Sequence, residues 1–421
     1  MEPVWTESVT SPLGIDWHHT AQNGPSESGR GDWIRTSDPL RPRQVRYQAA
    51  LRPDLLKTRI IPHPRQTAAQ TPDSAQTRTE IASQPGMRPQ TLGLIGGAAL
   101  LTRAVWRRTR LYDLRGKTVL ISGGARGLGF LIAQELGRLG ATVVIFSRSM
   151  DELARAREKL EEQGITAVDL TCDVRNPDQV AILVSQIVHH TGRIDVLVNN
   201  AGVIQATPME HTRLEDFDES LQVHFWGPLY LIREALPHLR RSRGRILNIS
   251  SIGGRVGVPH LGPYCAGKFA LTGLSEVLRA ELAKDGVLVT TCTPGLMRTG
   301  SHGRVQLRGQ HEAEAKWFGA AVATSLTSKD ATRAARQIVR ALREGRAHVT
   351  PGLQARVAEV LNAIAPNTTA AMASAAVRTF LPGPSEESDG DTSRTARDVG
   401  FGWLEPLLPN RAAIRNNEAP A

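Results

Sequence analysis

Between residue 116 and about residue 350, short apolar runs alternate with longer amphipathic ones, and this succession leaves few folds open to the chain. KTVLIS precedes a helical stretch at 127–139, ATVVIFS one at 151–163, ITAVDLT one at 177–191 and IDVLVNN a long one at 215–240. GRILNIS precedes a helix at 263–283, and VLVTTCTPG leads to a periodic helix at 331–343 and the run AHVT. Apolar runs that scarcely alternate are strands buried on both faces, and helices between them are crossovers joining parallel strands. The pattern predicts an α/β domain over 115–350, a doubly wound parallel sheet with helices on both faces.

The flanks have a different composition. Residues 1–90 are dotted with Pro, Ser, Gln and Thr without sustained apolar periodicity, so little buried area would offset the entropy of ordering them. They read as a disordered extension, or as residues upstream of a start at Met87 that are absent from the mature protein. The run LGLIGGAALL at 92–101 is about half the length a membrane span needs, roughly 20 residues. It is followed by Arg103, Arg107, Arg108, Arg110, Arg115 and Lys117. A short helix over 91–114 therefore has two readings, an interfacial anchor on an anionic membrane surface or a helix packed on the domain. Residues 351–382 read as an Ala-rich helical extension, and 383–421 as a disordered tail with one apolar island, Phe401 to Leu408.

The net charge of +10 raises nucleic acid as a partner. The densest basic run follows an apolar stretch and comes with no paired-cysteine spacing and no repeat, so a nucleic-acid partner is not expected. Three cysteines, Cys172, Cys265 and Cys292, are too few for a disulfide framework and favour a reducing compartment. A cytoplasmic location follows, with 91–110 as the segment that would hold the protein to the inner face of a membrane. The twelve histidines include no HExxH or similar ligand spacing, and no metal is expected.

Four strand ends carry candidate binding residues. The first runs into Ser122-Gly-Gly-Ala-Arg-Gly-Leu-Gly129, where Gly123 and Gly127 permit a tight turn. Gly129 lets helix and strand approach while helix amides face a pyrophosphate. The second strand ends at Ser147-Arg148, with no carboxylate to accept the ribose hydroxyls of NAD. Arg148 and Arg126 would instead converge on a 2′-phosphate, so NADP(H) is preferred and NAD(H) remains open. After the third, Asp173 and Val174 would meet the adenine; after the fourth, Asn200, Ala201 and Gly202 form a turn of small residues. Each taken alone also reads as a polar strand cap, a glycine turn or a solvated arginine.

Tyr264 and Lys268 are four apart on a helix and share a face, and Ser251 ends the strand ILNIS thirteen residues before the tyrosine. A phenol titrates near 10, and bringing it toward 7 takes roughly 4 kcal/mol of differential interaction. Lys268 would supply part of this, and Ser251 would orient a carbonyl oxygen toward the phenol. An apolar ketone, aldehyde or secondary alcohol suits the segments that would shape the remaining pocket, 202–214, 254–261 and a stretch with His302, Trp317 and Phe318.

In order, SGGARGLG, CDV, NNAG, NISS, YCAGK and TPGLMRT resemble the short-chain dehydrogenase/reductase family in its single-domain form. The resemblance implies a Rossmann-type sheet of about seven strands and an NADP-dependent oxidoreductase acting on a small carbonyl or alcohol. It implies cofactor contacts at Ser122, Gly123, Arg126, Gly127, Leu128, Gly129, Arg148, Asp173, Val174, Asn200, Ala201 and Gly202. Pro294, Gly295 and Thr299 would close over the nicotinamide. Tyr264 would be the acid-base residue, Lys268 its pKa partner and ribose anchor, and Ser251 the substrate-orienting donor. A homodimer or homotetramer is also implied. One position departs from the pattern: His224, in Val223-His224-Phe225-Trp226-Gly227, stands where the family places an asparagine of a water relay. The expectation is a retained but altered relay through an imidazole. Two other functions stay open, a non-catalytic NADP(H)-binding scaffold or sensor, and an epimerase or dehydratase using the same groove.

Overall fold

The computed structural model describes residues 111–324, 328–385 and 392–418. The readings made for 1–90 and for 91–110 lie outside these residues. Of the helix expected over 91–114, the described part, 111–114, is not helical. It is tied to the domain by Tyr112 N–H donating to the Arg343 carbonyl and by burial of Leu114.

Seven parallel strands form the central sheet: β1 (Thr118–Ser122), β2 (Thr142–Ser147), β3 (Ala167–Thr171), β4 (Val196–Asn199), β5 (Arg245–Ile249), β6 (Leu288–Cys292) and β7 (His348–Val349). Their spatial order is β3-β2-β1-β4-β5-β6-β7. The sheet is the Rossmann-type arrangement expected from the sequence. All five residues of β1 and all four of β4 are buried, which is why these strands read as unbroken apolar runs. The order reverses between β1 and β4, so the crevice beyond their carboxyl ends is the natural ligand site of such a sheet.

Helices cover both faces. On one, α1 (Gly127–Arg138), α2 (Met150–Glu161) and a later helix, Ala331–Arg343, pack Phe130, Leu136, Leu153, Leu160 and Ile338 against β1 and β2. On the other, α3 (Pro177–Thr191) and a helix spanning Gly227–Ser242 bury Val180, Leu183, Leu231 and Leu239. Each such aliphatic side chain contributes about 1.5–3 kcal/mol on burial.

The single helix expected at 215–240 is broken. It consists of α4 (Leu214–Leu221), a π-helical turn over Gln222–Trp226, and α5 (Gly227–Ser242). Pro228 has no N–H to donate to the carbonyl four residues back, so a regular α pattern cannot run through, and Gly227 N–H reaches Gln222 instead. Next come α6 (Gly262–Glu281), α7 (His311–Ala323), α8 (Ala331–Arg343), α9 (Leu353–Ile364) and α10 (Pro366–Phe380).

The disordered tail expected over 383–421 is corrected for residues 392–418, which fold back onto the domain. Arg394–Thr395 pairs antiparallel with Gln306–Leu307. Phe401, Leu404 and Leu408 are buried with Phe318 and Val322 of α7 in a third apolar cluster. The apolar island supplies the burial that offsets ordering of its polar flanks. No helix among the described residues is long and apolar enough to cross a membrane.

Candidate active site

A groove of about 930 Å³ runs along the carboxyl ends of the strands from the β2–α2 turn to the start of α6. Its floor at the switch point is the glycine turn. Gly123 and Gly127 have φ of +61° and +57°, values L side chains rarely adopt. A Cβ on Gly129 would lie 2.2 Å from the Gly123 carbonyl oxygen, so only glycine lets α1 pack this closely on the turn. Ser122 Oγ accepts the N–H groups of Asn200 (2.9 Å) and Ala201 (3.0 Å), and Asn200 Nδ2 donates to the carbonyls of Ser122 and Gly123 (both 3.1 Å). The two turns are thereby locked together. Ser122 and Gly129, counted among the cofactor contacts from the sequence, stand behind the lining and hold it; Gly123, Arg126, Gly127 and Leu128 line it.

At the β2 end of the groove Arg148 is exposed on the rim, near enough to Asp173 to help lower its pKa. Burial raises the Asp173 carboxyl, but the Arg175 side chain, with bonds of 3.0 and 2.6 Å to Oδ2, and the Arg175 N–H outweigh it. Val174 is buried beneath Gly227. Arg126, expected with Arg148 at a 2′-phosphate, lines the same groove and is ion-paired with Glu152 (3.2 Å) and Glu418 (2.7 Å).

At the other end Ser251, Tyr264 and Lys268 come together. Ser251 Oγ accepts Gly253 N–H (3.1 Å), and its hydroxyl is near enough to Tyr264 to favour the ionised phenol. Lys268 Nζ is buried, donates to the Ile249 carbonyl (2.9 Å) and lies 5.7 Å from the centre of the Tyr264 ring. Burial pushes the Tyr264 phenol up to about 12, against the influence of Ser251, and takes the Lys268 amine down to about 7. Withdrawal from water disfavours both charged forms, and Lys268 is not among the groups that shift the phenol in the protein alone.

His224 sits on the π-helical turn, its ring edge-on to Tyr264 at 5.4 Å. Nε2 accepts Val203 N–H (3.2 Å), so the ring proton is on Nδ1, which donates to Ser220 Oγ (3.1 Å); that hydroxyl donates to the Pro263 carbonyl (2.6 Å). Burial first, then the Lys268 charge, holds its pKa well below the usual imidazole range. Both ring nitrogens are committed to protein partners.

Pro294, Gly295 and Thr299 line the groove beyond β6, with the Thr299 hydroxyl bonded to Ser301 (2.7 Å). Above them Ile204, Val258, Leu261, Leu296, Trp317 and Phe318 form an apolar chamber roofed by α7. His302 lines it too, its pKa lowered to about 4 by burial and the nearby Arg397. Sequence reasoning missed Glu152, Arg304, Arg397 and Glu418, which also face the groove. No short motif marks them; the apolar island at 401–408 was the one signal that the segment bearing Glu418 returns to the domain.

Residues 117–308 match the family model described as short chain dehydrogenase. A 2-dehydro-3-deoxy-D-gluconate 5-dehydrogenase of Formosa agariphila is 32% identical over 201 residues, 47% of this chain and 76% of that protein. The chain belongs to the short-chain dehydrogenase family. An uncharacterized oxidoreductase of Mycobacterium tuberculosis is 33% identical over 205 residues, 47% of this chain but 60% of that relative's length. The crystal structure of a short-chain dehydrogenase from Streptomyces avermitilis superposes with a TM-score of 0.55 at 28% identity, covering 62% of this chain and 97% of that one.

Proposed function

We propose that the protein transfers hydride between NADP(H) and an apolar carbonyl compound or secondary alcohol. The observation that carries this reading is the convergence of Ser251, Tyr264 and Lys268 at one end of a groove whose other end is a glycine turn. The groove suits a dinucleotide: its volume is ample, and the left-handed glycines with the close approach of α1 leave backbone facing the phosphate position. The bound cofactor supplies or accepts the hydride at its nicotinamide. Ser251 donates to the substrate oxygen and holds it within reach of the Tyr264 hydroxyl. Tyr264, kept protonated through the neutral range, gives its proton to that oxygen in reduction and recovers it in oxidation. Lys268 anchors the nicotinamide ribose and places positive charge beside the phenolate left behind. His224, with both nitrogens bonded, positions the Tyr264 helix and the 201–203 turn rather than passing a proton.

Preference for NADP(H) over NAD(H) is supported by Arg148 on the rim and by Glu152, an α2 carboxylate lining the groove, being taken up in ion pairs with Arg126 and Arg304. The apolar chamber under α7 supports an apolar substrate. Self-association as a homodimer or homotetramer is supported by Trp226, Phe269 and Val277, exposed on the π-helical turn and α6. A cytoplasmic location, and attachment of 91–110 to an anionic membrane surface, rest on the sequence.

The test is oxidation of NADPH by apolar ketones and aldehydes and reduction of NADP+ by apolar secondary alcohols, with NADH and NAD+ in parallel. Tyr264→Phe should lower turnover by about 10²- to 10⁴-fold while NADPH affinity stays near wild type. Unchanged turnover would remove Tyr264 as the acid-base group. Binding of NADPH with no hydride transfer to any substrate would favour the scaffold reading instead.

A further inference from the structure

Four charged side chains from distant parts of the chain meet over the glycine turn. Arg126, inside that turn, is paired with Glu152 and Glu418; Arg304, just beyond the Thr299 loop, is paired with the same two carboxylates, at 2.6 Å to Glu152 and 3.5 Å to Glu418. The Glu418 side chain is only 2% exposed. Its Oε1 lies so near Gly127 that a Cβ there would come within 2.5 Å of it. The Gly127 N–H, an unpaired donor at the start of α1, is taken by the Asn416 carbonyl at 2.8 Å. Asn417 Nδ2 clamps the segment to the Ala125 carbonyl at 2.7 Å.

A carboxylate held by two guanidiniums over the amino end of a helix has the surroundings of a phosphate. Resting on the dinucleotide reading above, we propose that Arg304 is, with Arg126, a phosphate-binding residue of the groove, and that Glu418 is its built-in competitor. The two carboxylates balance the two arginines in the protein alone. A dinucleotide phosphate arriving beside Gly127 meets Glu418 as a like charge in a partly dry site, where screening is weak. Segment 416–418 then leaves, and Arg126 and Arg304 pass from the carboxylate to the phosphate. Glu152 stays on α2 and keeps the arginines aimed at the turn.

The experiment is titration of NADPH into the full-length protein without substrate, for wild type, Glu418→Gln, Arg304→Gln and the double variant. Hydrogen exchange over residues 410–418 is followed with and without NADPH. Glu418→Gln should tighten NADPH about tenfold, the worth of one charge-assisted bond that no longer has to be given up. Adding Arg304→Gln to it should weaken binding about tenfold, and exchange at 416–418 in the wild type should rise when NADPH binds. Equal or weaker binding by Glu418→Gln, or unchanged protection of 416–418, overturns the competitor. No effect of Arg304→Gln in the Glu418→Gln background overturns its phosphate role. Absence of dinucleotide binding by all four proteins overturns the cofactor reading itself, and this proposal with it.

Discussion

His224→Ala separates a relay from a positioning residue. The substitution strands the Val203 N–H, whose acceptor is Nε2, in a part-buried place, and it leaves Ser220 Oγ without the Nδ1 donor. A stranded buried donor costs about 1–3 kcal/mol. Removing the ring opens roughly 60 Å³, which at about 24 cal/mol per Å³ adds about 1.5 kcal/mol. The sum, roughly 2.5–4.5 kcal/mol, corresponds to a fall in Tm on the order of 5–18 °C for a domain of this size. The pH dependence has a definite sign. Because burial lowers the folded-state pKa of His224 below its unfolded value, the unfolded chain binds the extra proton first as pH falls below about 6.5. Wild type therefore loses stability on acidification through this group and the variant does not, so the difference between them is fullest at neutral pH and shrinks toward pH 5. Urea unfolding at several pH values measures this, and the pH profile of turnover is taken alongside. A positioning role predicts a rate lowered by a common factor at all pH values. A variant as stable as wild type whose turnover profile is displaced along the pH axis would refute the reasoning and restore the relay.

Two further changes probe the cofactor end. Gly129→Ala pushes a methyl into the Gly123 carbonyl oxygen and Asn200 Nδ2, backbone and clamp at once; dinucleotide affinity should fall by at least tenfold with melting lowered, and wild-type titration curves would show that the turn tolerates it. Arg148→Gln should weaken NADPH by about tenfold and NADH by less than twofold, measured by fluorescence titration; equal losses would mean that Arg148 does not read the 2′-phosphate.

The sheet was legible because strands buried on both faces must be written in apolar residues, and each crossover helix must follow its strand in order. The site was legible where a short stretch of chain makes its own constraint. Gly123, Gly127 and Gly129 are required by backbone angles and one close approach, and Tyr264 and Lys268 share a face of one helix. Where partners are far apart, nothing local marked them. His224 could be placed in sequence but not given its neutral tautomer, because the donor to its Nε2, the Val203 N–H, comes from 21 positions away. The ion pairs linking Glu152, Arg304 and Glu418 join residues more than a hundred positions apart, and an arginine-rich composition hides which arginines matter.

The two ends of the groove are built on opposite electrostatic terms. Around Arg126 and Arg304 opposite charges are balanced in pairs, so on the proposal above an arriving phosphate would exchange one anion for another with little change of net charge. Around Tyr264 charge is withheld: the phenol is held protonated, the imidazole of His224 neutral, and the Lys268 amine brought to about 7. In such a poorly solvated place a single proton has a large effect on its neighbours, since little water is present to screen it. On the proposed mechanism, loss of the Tyr264 proton to a substrate oxygen would leave a phenolate near Lys268, whose amine burial brings down to about 7. On that reading the burial that lifts the phenol away from an easy ionisation also lowers the amine, so Lys268, four residues along α6, would support a phenolate best below about pH 7.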